Sequence, residues 1–217
     1  MSTIITENAK RLLQETKGRT IVAATKYVGP DEIRELYEAG ITNAGENRVT
    51  DFLAKKASLT DIPVTWHFIG SLQTNKVAKV INEIDCLHSL DRLNLAEEIQ
   101  KRRKDPLPCF IEVHISPEPS KSGVMPKDLF DLCEKLAKYD KIKIIGLMGM
   151  APLTTDTEKI RSSFALLAKL REEVDRKAIP GVECRYLSMG MSDDYKIAME
   201  EGATHLRLGR ILYRNEE

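Results

Sequence analysis

Lys26 closes the run Thr20-Ile21-Val22-Ala23-Ala24-Thr25, which is nearly all apolar until this one cation. An amine at the end of a buried strand is a candidate nucleophile, because partial burial lowers a lysine's pKa and frees its lone pair. The bland alternative is a lysine capping a strand in water. Other chemistry-bearing residues follow short apolar runs in the same way: Glu46 and Asn47, His67, Ser89, Ser122 and Gly123, Met148 and Met150, Ser188 and Ser192, Arg207 and Gly209. No acidic cluster suits Mg²⁺ or a metal pair. His67, His88, His114 and His205 fall on different candidate strands without ligand spacing. Each is therefore expected to be structural, with His67 the best exception, and no metal ligand is assigned.

Two late loops have the character of an anion site. Ser192 precedes Asp193 and a helical pattern, so it is expected to cap a helix whose first N–H groups are free. In Leu208-Gly209-Arg210 the glycine lets backbone approach a ligand closely. Asp193 and Asp194 are expected to point to solvent, since carboxylates repel an anion. Glu46 is expected to be a helix N-terminal acid beside Asn47.

These residues need elements to hold them. Apolar runs predict strands at 21–24, 41–44, 64–69, 84–88, 109–115, 142–148, 183–187 and 204–208. Helical spacing lies between them: Pro30, Asp31 and Glu32 open one helix and Gly40 ends it, Asp91 is expected to cap another, and 158–176 forms the longest. Residues 73–81 are expected to be helical and 116–125 a loop. Strands separated by helices pair in parallel through crossovers. Eight such units predict one (β/α)8 TIM-type barrel domain over 1–217, near the short end of the ~200 to 400 residues that fold spans. Residues 2–14 have loose helical spacing and are expected to supply the outer helix missing after the last strand. An open doubly wound sheet is the runner-up, and no strand is followed by G-x-G-x-x-G or a Walker loop. A barrel would gather the listed strand ends at its C-terminal face.

Composition narrows the function classes. Of 217 residues, 33 are Lys or Arg and 33 Asp or Glu, so a zero net charge gives no reason to expect a nucleic acid or anionic membrane partner. The patch Lys101-Arg102-Arg103-Lys104 reads as a solvated helix end. Cys86, Cys109, Cys133 and Cys184 form no C-x-x-C pair, and residues 1–10 do not resemble a signal peptide, so a reduced, cytoplasmic protein is expected. No apolar run approaches the ~18 residues of a membrane span.

The motifs Ala23-Ala24-Thr25-Lys26, Gly45-Glu46-Asn47-Arg48-Val49, Trp66-His67-Phe68-Ile69-Gly70, Leu72-Gln73-Thr74-Asn75-Lys76, Gly146-Leu147-Met148, Leu187-Ser188-Met189-Gly190-Met191-Ser192-Asp193-Asp194 and Leu206-Arg207-Leu208-Gly209 resemble, in order, the pyridoxal phosphate homeostasis protein family. That family is similar to the N-terminal barrel of alanine racemase. The resemblance implies that Lys26 forms a Schiff base with pyridoxal 5'-phosphate (PLP), as a covalent aldimine. It implies that Ser188, Ser192, Gly209 and the backbone of Arg210 hold the phosphate. It further implies that Arg207 faces the pyridine nitrogen and that Asn47, His67 and Met150 line the pocket. The chain departs from the family at Ala44, where Phe is usual, at Arg48, where Tyr is usual, and at Arg210, where Thr or Ser is usual. The last change removes a hydroxyl ligand for phosphate.

Three functions compete: a PLP carrier in vitamin B6 homeostasis without turnover, a PLP-dependent racemase or decarboxylase, and a cofactor-free Schiff-base aldolase. An arginine at the ring nitrogen leaves that nitrogen neutral and weakens the electron sink. The sequence stops soon after the last strand, with no second domain expected to cover a cofactor. The carrier is the expectation, with no catalytic residue, a monomeric state, and apo-enzymes as possible recipients of PLP.

Overall fold

A computed structural model describes residues 3–118 and 122–214, so 119–121 of the expected 116–125 loop lie outside the described residues. The first helix is α1 (Ile4–Glu15), followed by β1 (Thr20–Ala24), α2 (Pro30–Glu38), β2 (Asn43–Glu46), α3 (Val49–Ser58), β3 (Thr65–Phe68), α4 (Val77–Val80) and β4 (Cys86–Leu90). The second half runs α5 (Leu93–Arg102), β5 (Leu107–Glu112), α6 (Leu129–Leu136), β6 (Ile142–Met148), α7 (Thr157–Arg176), β7 (Val182–Ser188), α8 (Tyr195–Glu200), β8 (His205–Leu208) and α9 (Arg210–Tyr213). The strands close into one barrel in sequence order, each parallel to the next, and β8 returns to β1 through Thr20 opposite His205 and Val22 opposite Arg207. This is the (β/α)8 barrel the alternation predicts.

Strand side chains alternate across the sheet. Leu87, Ile111, Leu147, Leu187 and Leu206 join a broad apolar layer with the helices, in which Leu12, Phe52 and Phe164 are fully buried. A second, small cluster of Cys86, Phe110 and Met148 is separate from that layer, with Ile145 and Met150 packed against it. All four cysteines are free and buried, and burial pushes their thiols up. No helix among the described residues is long and apolar enough to cross a membrane.

Several element ends differ from the sequence expectation for physical reasons. β2 lies two residues later than 41–44, because the Ile41 N–H closes α2 on the Leu36 carbonyl at 2.9 Å. Residues 73–81 form a 3₁₀ turn at Thr74–Lys76 and then the single turn α4. Asp91 does not cap α5: the cap position is Arg92, which makes no side-chain cap bond. β5 ends at Glu112; the Val113 N–H donates to the Met148 carbonyl at 2.8 Å, and Val113 then forms an isolated bridge to Val124. The basic patch divides: Lys101 and Arg102 pair with Glu98, whereas Arg103 donates to the carbonyls of Ile81 and Ile84. After β8 the short helix α9, unforeseen in the sequence, shares the outer position with α1, and Asn8 Nδ2 donates to the Arg214 carbonyl at 2.9 Å.

Candidate functional site

Lys26 stands in the turn two residues beyond β1, where the strand opens at the C-terminal mouth. The side chain is exposed and its Nζ lies 4.7 Å over the Tyr27 ring. The partial burial that would activate the amine is therefore not seen; the amine is held outward on a neighbouring aromatic face.

What lies beneath Lys26 is fixed. Thr25 is buried, and its N–H donates to the Gly45 carbonyl at 3.0 Å. Its hydroxyl donates to Glu46 Oε1 at 2.6 Å. Lys55 Nζ donates both to the Thr25 carbonyl at 2.7 Å and to Glu46 Oε1. Glu46 is fully buried at the end of β2, so it is not the helix N-terminal acid expected from sequence. It is half of a buried ion pair that clamps the β1 end. Tyr213 Oη donates to the Ala24 carbonyl at 3.3 Å, and burial raises the phenol's pKa.

Asn47 follows Glu46. Its N–H reaches Glu46 Oε2 at 3.3 Å, and its Oδ1 is buried without a hydrogen-bond partner. The chain at Gly70 passes so close that an added Cβ would lie 2.6 Å from Asn47 Cα, which is why the Trp66–Gly70 motif ends in glycine. Asn47 also lines a cavity of about 340 Å³ with Arg48, Gln73 and Lys76.

Across the mouth, the Ser192 hydroxyl accepts from the N–H groups of Gly209 at 3.3 Å and Ile211 at 3.4 Å. Ser192 is therefore not the cap of α8, whose cap position is Asp194; it gathers backbone donors from the chain after β8. The turn before it needs Gly190 at φ +92°. Asp193 is exposed as expected, and it pairs with Arg210. Asp194 is not: it is buried, its Oδ1 accepts from the Met191 N–H at 2.6 Å, and burial raises its pKa. The Arg210 side chain is thus committed to Asp193 on the rim.

Arg207 is buried inside the barrel, and burial lowers its pKa to about 10, so it remains a cation at neutral pH. Its Nη1 donates to Ser188 Oγ at 2.7 Å and its Nη2 to the Gly149 carbonyl at 3.0 Å. No described carboxylate bonds to it. Ser188, grouped by the resemblance with the phosphate ligands, is fully buried at Arg207, and its hydroxyl also meets His88 Nδ1 at 2.8 Å. His67 is likewise inside the barrel: its Nδ1 faces His88 Nε2 at 2.8 Å and its Nε2 faces Asn43 Oδ1 at 3.0 Å. Met150 is part-buried against the Cys86, Phe110 and Met148 cluster.

Glu112 escaped the sequence reading, and His88 was expected there to be structural only. Glu112, at the end of β5, is buried with its pKa raised by burial, and it accepts from Ser122 Oγ at 2.5 Å. Its signal was an acid at a strand end, diluted by the many surface acids. His88 belongs to the line of side chains that ends at Arg207; its signal was an imidazole next to Ser89 inside the strand Cys86–Leu90. The structure also brings ligand atoms of His67, Cys86 and His88 within 4.8 Å of one another, which no sequence spacing revealed. The two ring nitrogens that face each other there are already joined through one hydrogen bond.

Comparison with known proteins adds a family. The model for "Alanine racemase, N-terminal domain" matches residues 3–216. The pyridoxal phosphate homeostasis protein of Aquifex aeolicus is 43% identical over 196 residues, covering 89% of this chain and 85% of that protein. PipY of Synechococcus elongatus, solved without PLP, superposes with a TM-score of 0.91 at 34% identity, covering 97% of this chain and 100% of that one. The same protein solved with PLP bound gives 0.89 at 33% identity, with the same coverage. Alanine racemase of Corynebacterium glutamicum shares the fold, with a TM-score of 0.79 at 16% identity over 98% of this chain and 61% of its own length.

Proposed function

Because the chain belongs to the pyridoxal phosphate homeostasis protein family, we propose that it binds PLP at the barrel mouth, covalently through Lys26, as a carrier in vitamin B6 homeostasis and not as a catalyst. The observation that carries the reading is the convergence of backbone N–H groups from Gly209 and Ile211 on Ser192 Oγ, on the same barrel face as Lys26. The donor set fits the cofactor. Those N–H groups and the Ser192 hydroxyl suit an anion, the buried Arg207 guanidinium suits a ring nitrogen that accepts, and the orphaned Asn47 Oδ1 suits a donor on the ring. Bound PLP supplies an aldehyde that an amine captures reversibly.

The chain's own residues then divide the work. Ser192, Gly209 and the backbone beside Arg210 hold the phosphate. Arg207 donates to the ring nitrogen, and Ser188 supports Arg207. Asn47 orients the ring, with Met150 against the inner cluster. Glu46 and Lys55 fix the backbone from which Lys26, held outward over Tyr27, would turn toward the aldehyde. The exposed position of Lys26 favours exchange of a cargo over protected carbanion chemistry. We further propose a monomer that works in the reducing cytoplasm and passes PLP to apo-enzymes; the four free cysteines support the reducing compartment.

The test is direct. Protein incubated with PLP is expected to turn yellow, and borohydride is expected to fix a PLP-sized mass on the peptide carrying Lys26. Lys26→Ala removes both. No colour and no adduct in the wild type would end the proposal. Steady turnover of any member of a panel of L- and D-amino acids would replace the carrier with a racemase or decarboxylase.

A further inference from the structure

A continuous line of side chains crosses the barrel interior from Arg207 to Asn43. Arg207 Nη1 meets Ser188 Oγ at 2.7 Å, Ser188 Oγ meets His88 Nδ1 at 2.8 Å, His88 Nε2 meets His67 Nδ1 at 2.8 Å, and His67 Nε2 meets Asn43 Oδ1 at 3.0 Å. Ser188 and His88 are fully buried and His67 is 4% exposed, so water does not complete their bonding. The direction of every proton in this line follows from its first member. A guanidinium has donors and no acceptor, so Ser188 Oγ must accept from Arg207. Ser188 has one proton of its own, and leaving it unpaired in a dry site would be costly. Its remaining partner is His88 Nδ1, which must then accept. A neutral imidazole that accepts at Nδ1 carries its proton on Nε2, so His88 donates to His67 Nδ1. The same step repeats at His67, whose Nε2–H donates to Asn43 Oδ1. Asn43 is turned to receive it, with its Nδ2 toward Thr42 Oγ1 at 3.4 Å. The Ser188 hydroxyl and all four ring nitrogens are satisfied with both histidines neutral. Burial keeps them so, lowering His67 to about 3 and His88 well below its ordinary value.

We infer that His88 is a positioning residue for Arg207: acting through Ser188, it holds the guanidinium in one orientation, and the guanidinium in turn fixes the His88 and His67 rings as Nε2–H tautomers. A purely structural histidine pair has no preferred direction. This one does, because Arg207 sits at its end. The alignment of Arg207 toward a bound ring nitrogen therefore depends on an acceptor at the Nδ1 position of residue 88. This part of the inference rests on the PLP reading above, whereas the tautomer assignment does not.

Two substitutions separate positioning from packing. In His88→Asn the amide oxygen overlays Nδ1, so Ser188 keeps an acceptor and the donor to His67 is lost. In His88→Gln the amide reaches the Nε2 position, so the donor is kept and the acceptor for Ser188 is lost. With PLP loaded, His88→Asn is expected to keep the wild-type absorption maximum and affinity. His88→Gln and Ser188→Ala are expected to shift the band together and to raise the Kd for PLP about three- to tenfold, the effect of one hydrogen bond. Equal behaviour of the Asn and Gln variants would overturn the positioning role. On the full-length protein without PLP, ¹⁵N NMR of the imidazoles is expected to show Nε2–H for both rings, and an Nδ1–H signal from either would overturn the direction of the line. If the wild type took up no PLP, the binding reading would fail while the NMR result still decided the tautomers.

Discussion

The sheet separates a wide apolar layer from a narrow, largely polar one. Toward the helices, the core is built from leucine, isoleucine, valine and phenylalanine drawn from nearly every element. Toward the barrel axis, the apolar part shrinks to Cys86, Phe110 and Met148, and the space beside it holds His67, His88, Ser188, Arg207 and Glu112. The outer layer asks only for volume, and hydrophobic layers tolerate many solutions of equal volume. The inner layer asks that each donor meet an acceptor, which costs desolvation and returns a single arrangement. Stability and site geometry are therefore assigned to opposite faces of the same strands, and substitutions on the two faces should fail differently.

The largest effect should come from the outer layer. Phe164 is fully buried on α7, and Phe164→Ala is expected to cost about 3–5 kcal/mol by urea denaturation, since the cavity adds to the lost transfer energy. The protein that remains folded should keep the wild-type PLP spectrum; a shifted band would show that the two layers are mechanically coupled. Next is Glu46→Ala. Removing one partner of a buried pair strands Lys55, whose side chain is only 11% exposed, and should cost about 3 kcal/mol. Borohydride trapping at Lys26 should slow as well, because the Thr25 hydroxyl loses its Glu46 acceptor and Lys55, which holds the Thr25 carbonyl, loses the carboxylate that anchors it. Glu46→Leu combined with Lys55→Met should recover most of the stability and leave the trapping slow. If trapping recovers with stability, the pair serves the fold alone.

The outer layer was legible in the sequence, and the inner one only in fragments. Period-two and period-3.6 patterns report which side chains face the helices, so eight alternating units and a closed barrel followed from residues such as Ile33, Leu36, Leu129 and Leu132. Lys26, Ser192, Arg207 and Gly209 could be placed on one face because strand ends are countable. The bonds they make could not. Ser192 looked like a helix cap because Asp193 follows it, yet its partners Gly209 and Ile211 lie across a strand. Asp194 looked solvent-facing beside Asp193, and only the backbone turn at Met191 buries it. His67, His88 and Ser188 come from three strands, with the bonded pair His88 and Ser188 100 residues apart, and no local pattern aligns them.

The inner layer also makes a prediction in pH. Burial holds His67 at about 3 and His205 at about 4 in the folded chain, whereas the unfolded imidazoles take protons near about 6.5. Between these values the unfolded chain binds more protons, so stability present above about pH 6.5 is lost as pH falls, by at most about 1.4 kcal/mol per unit for each group. Glu112 and Asp194 oppose this, because burial raises their pKa values and the folded chain takes up their protons first. His205→Asn removes one histidine while keeping a polar partner for Thr204. Its urea midpoint should fall less steeply from pH 6.5 to pH 4 than that of the wild type, and parallel curves would remove His205 from the acid limb.

The smallest effect marks where the inner layer stops. Arg210 and Asp193 pair on the rim with side chains 62% and 72% exposed, so Arg210→Ala should change stability by less than about 1 kcal/mol. Its effect on PLP affinity is the sharper question, because arginine stands where the family usually has a hydroxyl. With the guanidinium committed to Asp193, only the backbone near residue 210 is proposed to serve the phosphate, and Arg210→Ala should leave the Kd within about twofold of the wild type. Ser192→Ala should weaken binding several-fold, since it removes the hydroxyl on which the Gly209 and Ile211 N–H groups converge. Equal losses in the two variants would mean that Arg210 leaves Asp193 for the anion when the cofactor arrives. The phosphate cradle would then reach from the ordered mouth to the solvated rim, and charge on the rim would do part of the holding now assigned to the backbone.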